Sequence, residues 1–208
     1  MTTKIVFIRH GQTDWNREGR MQGHLNLPLN ETGRKQARAL AQRLAAWPIT
    51  TIYSSDLARC AETAVILGNT LNLEPIYQTI WRERDLGVLS GLTRQEAREK
   101  YPHAVHKKSF TEIVPPDGET HAMLQIRGRE AFEQVIANHT DEMIAVVTHG
   151  GLLHVLMAHL IGLPDNEYGR FTLRGNTGLS IVELHEQNKL VIACLNDTSH
   201  LEQQPELA

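Results

Sequence analysis

Short apolar runs alternate with helical segments along this chain, and this alternation constrains the fold more than any other feature. The clearest runs are residues 4–10 and 143–148, and each leads through polar or glycine residues into a segment with helical spacing of apolar side chains. Strands that alternate with helices predict a three-layer α/β/α fold with a mostly parallel central sheet. No internal repeat or clear linker interrupts the 208 residues, so we expect one domain spanning 1–208.

The same patterns predict the remaining elements. Helices are expected at 31–47, at 55–71 with Ser55 as N-cap, at 93–101, at 120–138 and from Gly150 onward. Strands are expected at 51–54, with weaker candidates at 74–77 and 80–88, and 177–185 with 189–196 is expected to form a hairpin. The irregular stretch at about 102–119, which contains His106, Lys107 and Lys108, is either a lid or specificity segment or an ordinary solvated connector.

Composition excludes several classes of protein. Lys and Arg number 21 against 24 Asp and Glu, a net charge of −3, which argues against a nucleic-acid-binding protein and against a polybasic membrane protein. The uncharged stretch 144–163 contains three histidines and a glycine pair, so a buried strand and helix explain it better than a membrane span. Two cysteines, Cys60 and Cys194, are too few for a disulfide framework. We therefore expect a cytoplasmic protein whose oligomeric state the sequence leaves open.

Basic side chains follow three of the predicted strands. Arg9 and His10 end the first strand, Arg59 lies in the first turn of the helix after the second, and His149 precedes Gly150 after the strand at 143–148. Because ligands of open α/β sheets bind outside the carboxyl ends of the strands, we expect these side chains to meet at one edge. Helix N-termini and glycine turns at that edge supply N–H groups for an anion. The sequence thus predicts a site for a phosphate-sized oxyanion, although each residue alone would also fit a structural role.

Histidine, with 11 copies, raises the alternative of a metal site. No His-Glu-x-x-His or Cys-x-x-Cys sequence occurs, and His154 and His159 are five residues apart, which turns them about 140° from each other on a helix. A metal site built from distant residues stays open, without local support. Nucleotide hydrolysis by a P-loop is disfavoured because Gly-Lys-Ser and Gly-Lys-Thr are absent from the sequence.

Ordered motifs across nearly the whole chain resemble those of the histidine phosphatase superfamily, the phosphoglycerate mutase-like family, and within it the small phosphatase branch. The matching segments are 7–16, with its Arg-His-Gly, 22–23, 29–33, 54–63, 82–87, 148–151 and 196–201. One Arg-His-Gly alone would be weak support, but these segments occur in the family's order.

The resemblance implies a metal-independent phosphomonoester hydrolase that needs no cofactor and acts through a phosphohistidine on a small phosphorylated metabolite. His10 would be the nucleophile, while Arg9, Arg59 and His149 would hold the phosphate oxygens. Glu83 would protonate the leaving alcohol and then activate water. Residues expected to complete the substrate site are Asn16, Gln22, Gly23, Gly150 and Gly151.

Several alternatives stay open beside this interpretation. Asp85 is a nearby rival of Glu83 as the acid. The glycolytic mutases of the family carry an extra tyrosine and further arginines after the acid motif, whereas here residues 84–91 are compact, which favours a phosphatase over a mutase. A non-catalytic phosphate-binding module and a metal-dependent hydrolase are further hypotheses. Candidate substrates include sugar phosphates, phosphoglycerates, phosphoserine and a nucleoside phosphate.

Overall fold

A computed structural model describes residues 2–105 and 112–202 and contains one central β-sheet. Its strands are β1 (Thr2–Arg9), β2 (Ile49–Ser54), β3 (Ile76–Tyr77), β4 (Met143–Thr148), β5 (Leu179–His185) and β6 (Leu190–Asp197). They lie in the order β3-β2-β4-β1-β5-β6. The pairs β1–β4, β2–β4 and β2–β3 are parallel, and β5 and β6 add an antiparallel hairpin at one edge. The mostly parallel sheet is therefore confirmed.

Helices cover both faces of this sheet. They are α1 (Asp14–Glu18), α2 (Glu31–Leu44), α3 (Ala58–Leu71), α4 (Arg94–Lys100), α5 (His121–Asn138) and α6 (Gly150–Ile161). Alternate side chains of β1 point to opposite faces: Ile5 and Phe7 pack with α5 and α6, whereas Val6 and Ile8 pack with α2 and α3. An uninterrupted apolar run suits a strand buried on both faces, and the three-layer α/β/α prediction is confirmed.

The start of α3 differs from the prediction that Ser55 is its N-cap. The N-cap is Leu57, and the helix begins at Ala58. The Ser55 hydroxyl lies 2.9 Å from Nε2 of His149 and 3.3 Å from the Leu57 N–H. A polar ring in the buried centre competes for this hydroxyl, and the cap is displaced by two residues.

The predicted strand at 80–88 is wrong. Short 3₁₀ turns at Thr79–Trp81 and Gly87–Leu89 stand there, because the side chains do not alternate between a core face and solvent. Trp81 and Arg84 are both fully buried, and Gly87 has a φ of 47° that lets its backbone approach Pro116. The strand candidate at 74–77 is shorter than predicted, with two residues. The short helix α1, whose N-terminus has a capping box of Thr13 and Asn16, was not predicted.

The described part of the predicted lid, 102–105 and 112–119, packs against the segment that carries Glu83. The buried Arg84 guanidinium donates to the carbonyls of Ile113 (2.6 Å) and Glu119 (2.8 Å). Leu86 and Ile113 share a small apolar cluster with Val105. His106, Lys107 and Lys108 lie outside the described residues. Within 2–105 and 112–202, no helix combines the length and apolar character needed to cross a membrane.

Candidate active site

The carboxyl edge of the sheet brings the predicted basic residues together. Arg9 pairs with Thr148 in the β1–β4 register, so His10 and His149 leave neighbouring strands side by side, with ring centroids 5.2 Å apart. Arg59 reaches the same place from the first turn of α3. His10 is only 3% exposed, and Arg59 and His149 are fully buried. Parallel pairing thus places the ends of β1, β2 and β4 around one point.

The His10 ring has a defined tautomer. Its Nδ1 lies 2.7 Å from the carbonyl oxygen of Gly11, and because a carbonyl only accepts, Nδ1 carries the proton and Nε2 keeps its lone pair. Burial, followed by the positive charges of Arg59 and Arg9, holds the pKa of His10 well below its ordinary value of 6.5. His10 is therefore neutral at neutral pH, and the lone pair of Nε2 is available to an electrophile.

The Nε–H group of Arg9 is a hydrogen-bond donor without an acceptor in the described part of the chain. Nη1 donates to the carbonyls of Leu173 (3.4 Å) and Arg174 (2.6 Å), but buried Nε has no hydrogen-bond partner among residues 2–105 and 112–202. Leaving a buried charged donor without a partner is costly, so an oxyanion at this point would be stabilised. A Cβ on Gly150 would lie 3.3 Å from Arg9 Nε, so the glycine keeps the approach to this donor open.

Arg59 and His149 form one hydrogen-bonded unit. The guanidinium of Arg59 donates to the carbonyls of Leu25 and Gly23, both at 2.8 Å, and its Nε donates to Nδ1 of His149 at 3.2 Å. Because Nδ1 accepts, Nε2 of His149 donates to the Ser55 hydroxyl. Burial and the charge of Arg59 hold the pKa of His149 well below 6.5. His149 thus lies behind Arg59 and orients it, and direct contact of His149 with phosphate stays a prediction.

Glu83 faces the same cavity from outside the sheet. Its Oε2 accepts from the N–H of Gly151 (3.0 Å) and its Oε1 from the N–H of Arg84 (2.8 Å). A Cβ on Gly151 would collide with the Glu83 carboxylate, so the second glycine of the pair is needed for this approach. Asp85, the rival acid, accepts from the N–H of Gly87 (2.9 Å) and does not line the cavity. The geometry favours Glu83.

The cavity in front of these groups measures about 540 Å³, which leaves room for more than a phosphate. Asn16, Gln22 and Gly23 line it as predicted, and Oε1 of Gln22 is buried with no partner in the described part of the chain. Lining residues that were not predicted include Arg20, Arg94, His121, His154, Tyr168, Phe171 and Arg174. They come from α4, α5, α6 and the loops beside them, and no local pattern marks them as neighbours. Residues 2–105 and 112–202 contain no cluster of three His, Cys, Asp or Glu side chains arranged to hold a metal ion.

Comparison with known proteins assigns the family. The model of the histidine phosphatase superfamily (branch 1) matches residues 5–198. The chain belongs to this superfamily. Among curated relatives, it is 37% identical to "Phosphoglycerate mutase-like protein 4" of Arabidopsis thaliana, covering 96% of this chain and 87% of that one. It is 36% identical to the "Metal-independent phosphoserine phosphatase" of the same plant, covering 96% and 83%.

Solved structures of similar proteins agree with this histidine phosphatase fold. YhfR of Bacillus stearothermophilus has a TM-score of 0.89 at 34% identity, covering 96% of this chain and all of that one (100%). The mycobacterial glucosyl-3-phosphoglycerate phosphatase, solved with VO3, has a TM-score of 0.82 at 33% identity, covering 93% and 98%. The resemblance drawn from the motifs is confirmed.

Proposed function

We propose that this protein is a metal-independent phosphomonoester hydrolase that acts on a small phosphorylated metabolite through a phosphohistidine at His10. The observation that carries the proposal is the buried, neutral His10, whose Nδ1 is hydrogen-bonded to a carbonyl oxygen. It lines the same cavity as Arg9, whose buried Nε has no partner in the described part of the chain. A nucleophile and a phosphate cradle therefore share one cavity.

In the first step, Nε2 of His10 attacks phosphorus, and the bond between phosphorus and the ester oxygen breaks. Glu83, entering as the neutral acid, gives its proton to the leaving oxygen, so an alcohol departs. Arg9 and Arg59 stabilise the charge on the phosphoryl oxygens. The hydrogen bond from Nδ1 of His10 to the Gly11 carbonyl (2.7 Å) keeps the ring oriented as it becomes positively charged.

In the second step, the Glu83 carboxylate takes a proton from water, and the resulting hydroxide attacks phosphorus. The bond between phosphorus and Nε2 breaks, which restores neutral His10 and releases inorganic phosphate. Glu83 ends the cycle protonated, as it began. Cationic side chains provide the charge stabilisation in both steps, so the scheme has no role for a metal or cofactor.

For the substrate we propose only a class, small phosphorylated metabolites. One relative is named for phosphoserine and one solved neighbour for glucosyl-3-phosphoglycerate, and the cavity has space for leaving groups of either kind. Hydrolysis is favoured over mutase activity by the compact 84–91 segment. A cytoplasmic location is part of the proposal and rests on the free cysteines Cys60 and Cys194.

One assay separates the competing functions: turnover of p-nitrophenyl phosphate in EDTA by wild type, His10→Ala and the control His159→Ala, a substitution at an exposed site on α6. We expect EDTA-resistant activity that His10→Ala abolishes and His159→Ala leaves intact. Activity that EDTA removes would identify a metal-dependent hydrolase. A protein that binds phosphate without turnover would be a binding module. Incubation with 3-phosphoglycerate, followed for phosphate release and isomerisation, distinguishes phosphatase from mutase.

A further inference from the structure

The general acid proposed above lies in a segment without a strand ladder. Residues 82–86 connect two 3₁₀ turns, so no neighbouring strand fixes the Glu83 backbone. The Glu83 carbonyl instead accepts from two side chains, Nε2 of His24 (2.7 Å) and Nη2 of Arg127 (3.1 Å). Side chains from elsewhere in the chain therefore set the position of this residue.

Arg127, on α5, holds the segment by several bonds at once. Its Nη1 donates to the carbonyls of Ile80 (2.9 Å) and Arg82 (2.7 Å), in addition to the bond from Nη2 to Glu83. One guanidinium thus satisfies three carbonyls within four residues. Only an arginine has enough donors in one plane to make these bonds and still form a bidentate ion pair.

That ion pair is with Glu119, at the end of the segment predicted as a lid. Glu119 Oε1 accepts from Nε of Arg127 (2.9 Å) and Oε2 from Nη2 (2.7 Å). The side chains of Arg127 and Glu119 are only 20% and 10% exposed. A bidentate pair with so little exposure keeps both partners in one orientation.

Glu119 also fastens the other side of Glu83. Its N–H donates to the carbonyl of Asp85 (2.8 Å), its carbonyl accepts from Nε of Arg84 (2.8 Å), and its Oε2 accepts from the N–H of Asp85 at 3.3 Å. The pair therefore binds the backbone before and after Glu83. Neither Arg127 nor Glu119 lines the cavity, so neither is placed to touch a substrate there.

We propose that Arg127 and Glu119 are positioning residues for the general acid. Their ion pair, which includes the last residue of the predicted lid, is called the brace because it holds the backbone on both sides of Glu83. The proposal rests on the proposed function, because it assigns Glu83 a proton to deliver. Loss of the brace lets the carboxyl drift from the leaving oxygen while the Arg9, His10 and Arg59 cluster stays in place. Misplacing a catalytic group by about 1 Å costs on the order of 100-fold.

The test uses two esters that differ in their need for an acid. Propanol is a poor leaving group and needs a proton, whereas p-nitrophenolate leaves without one. The parameter is kcat/KM, because it reports the steps up to departure of the alcohol and not the later hydrolysis of the phosphoenzyme. For Arg127→Met we expect a fall of about 10- to 100-fold on n-propyl phosphate and of less than about threefold on p-nitrophenyl phosphate.

Arg129→Met is the matched control, because Arg129 lies two residues further along α5, is 51% exposed, and pairs only at 3.7 Å with Glu133. Glu119→Gln removes one charge of the pair and keeps most of its hydrogen bonds, so it supplies a milder variant if Arg127→Met does not fold. For Glu119→Gln we expect a selective loss in the same direction. Vanadate affinity should stay within about twofold of wild type in both variants, since Arg9 and Arg59 are undisturbed.

Glu83→Gln, measured in parallel, separates failure of this proposal from failure of the proposed function. If Glu83→Gln loses activity equally on both esters, Glu83 is not the general acid. The acid role in the proposed function and the positioning role of Arg127 and Glu119 are then both wrong. If Glu83→Gln is selective but Arg127→Met and Glu119→Gln are not, only the positioning role is wrong. Equal losses on both esters in the Arg127 and Glu119 variants, or no loss, would both overturn it.

Discussion

His10 and Glu83 face one cavity from two regions of the molecule that are built differently. His10 follows the central strand β1, its N–H donates to the Thr148 carbonyl on β4 (2.9 Å), and its carbonyl accepts from Asn176 Nδ2 (3.0 Å). Glu83 lies outside the sheet, and the side chains of Arg127 and Glu119 hold its segment. The position of the proposed nucleophile thus depends mainly on backbone hydrogen bonds, and that of the proposed acid depends on a few side chains.

This difference has consequences for mutation. A strand ladder is made by groups that every residue except proline carries, so most side-chain changes leave it intact. A brace of side chains fails when one member is replaced. We therefore expect remote substitutions to affect the acid step selectively, and the nucleophile to be disturbed mainly where the backbone itself is forced to move.

The largest selective effect is expected from Glu83→Gln, which keeps the shape of the side chain but removes its proton transfer. General acid catalysis contributes about 10²- to 10⁴-fold, so kcat/KM on n-propyl phosphate should fall by that amount, with a much smaller fall on p-nitrophenyl phosphate. Asp85→Asn is the control, because Asp85 does not line the cavity. A larger and selective loss in Asp85→Asn than in Glu83→Gln would reverse the assignment.

On the nucleophile side, Gly11→Ala should reduce activity without distinguishing the esters. A Cβ at Gly11 would lie 2.6 Å from the backbone oxygen of Gly33, in the first turn of α2, and neither backbone can yield easily. We expect kcat/KM to fall at least about 10-fold on both substrates, with a lower Tm, because overpacking costs about 1–3 kcal/mol. Gly19→Ala is the control, because a Cβ at Gly19 would meet no other atom. Its φ of 68° disfavours alanine, so this variant should lose some stability but keep its activity. If Gly11→Ala lost activity only on n-propyl phosphate, the backbone around His10 would affect the acid step, and the contrast between the His10 and Glu83 regions would be wrong.

Some of this arrangement was predictable from sequence, and the reason is the sheet. Arg9 ends β1, and the other three basic residues, His10, Arg59 and His149, come shortly after strands. Because parallel strands end at one edge of the sheet, their order along the chain predicts that these side chains converge. The position of Glu83 had no such support, because it lies in a charged, irregular segment and only the family motif singled it out.

The residues that sequence patterns could not find act across long separations. Arg127 lies 44 residues from Glu83, on a segment whose sequence predicts only that it is helical. Ser55 was misassigned as a helix cap because its position before a helix is the usual signal, while the buried ring of His149 that claims its hydroxyl is 94 residues away. Side-chain partners of this kind depend on tertiary packing and leave no local periodicity.

A smaller effect is expected from His200→Phe, at the C-terminal motif. Thr177 donates its hydroxyl to the Asn176 carbonyl (2.7 Å), so Nε2 of His200 donates to that hydroxyl at 2.9 Å. The Thr177 N–H in turn donates to the carbonyls of Arg9 (3.0 Å) and His10 (3.3 Å). Losing one hydrogen bond costs about 1 kcal/mol of stability. Because Thr177 then holds the Arg9 and His10 carbonyls less firmly, kcat/KM should fall by no more than about fivefold, equally on both esters. His159→Phe is the exposed control, and a selective loss on n-propyl phosphate would place His200 with the acid region instead.

A last prediction concerns stability and not activity: the buried histidines around the proposed nucleophile make the free energy of unfolding depend on pH. The pKa of His200 is lowered to about 4, first by burial and then by the charge of Arg43, and the pKa values of His10 and His149 are held well below 6.5. Between about pH 6.5 and pH 4 the unfolded chain binds protons that the native protein rejects, so the free energy of unfolding falls as the pH falls.

Urea denaturation at several pH values in this window tests the assignment. His200→Gln removes one of the titrating groups and keeps a donor for Thr177, so its stability should decline with falling pH less steeply than that of wild type. His159→Gln, at an exposed position, should follow the wild-type slope. Because Nδ1 of His200 is buried without a partner in the described part of the chain, its protonation has no compensating acceptor. Identical slopes in His200→Gln and wild type would show that His200 titrates as it does in the unfolded chain, and that the pH sensitivity lies elsewhere.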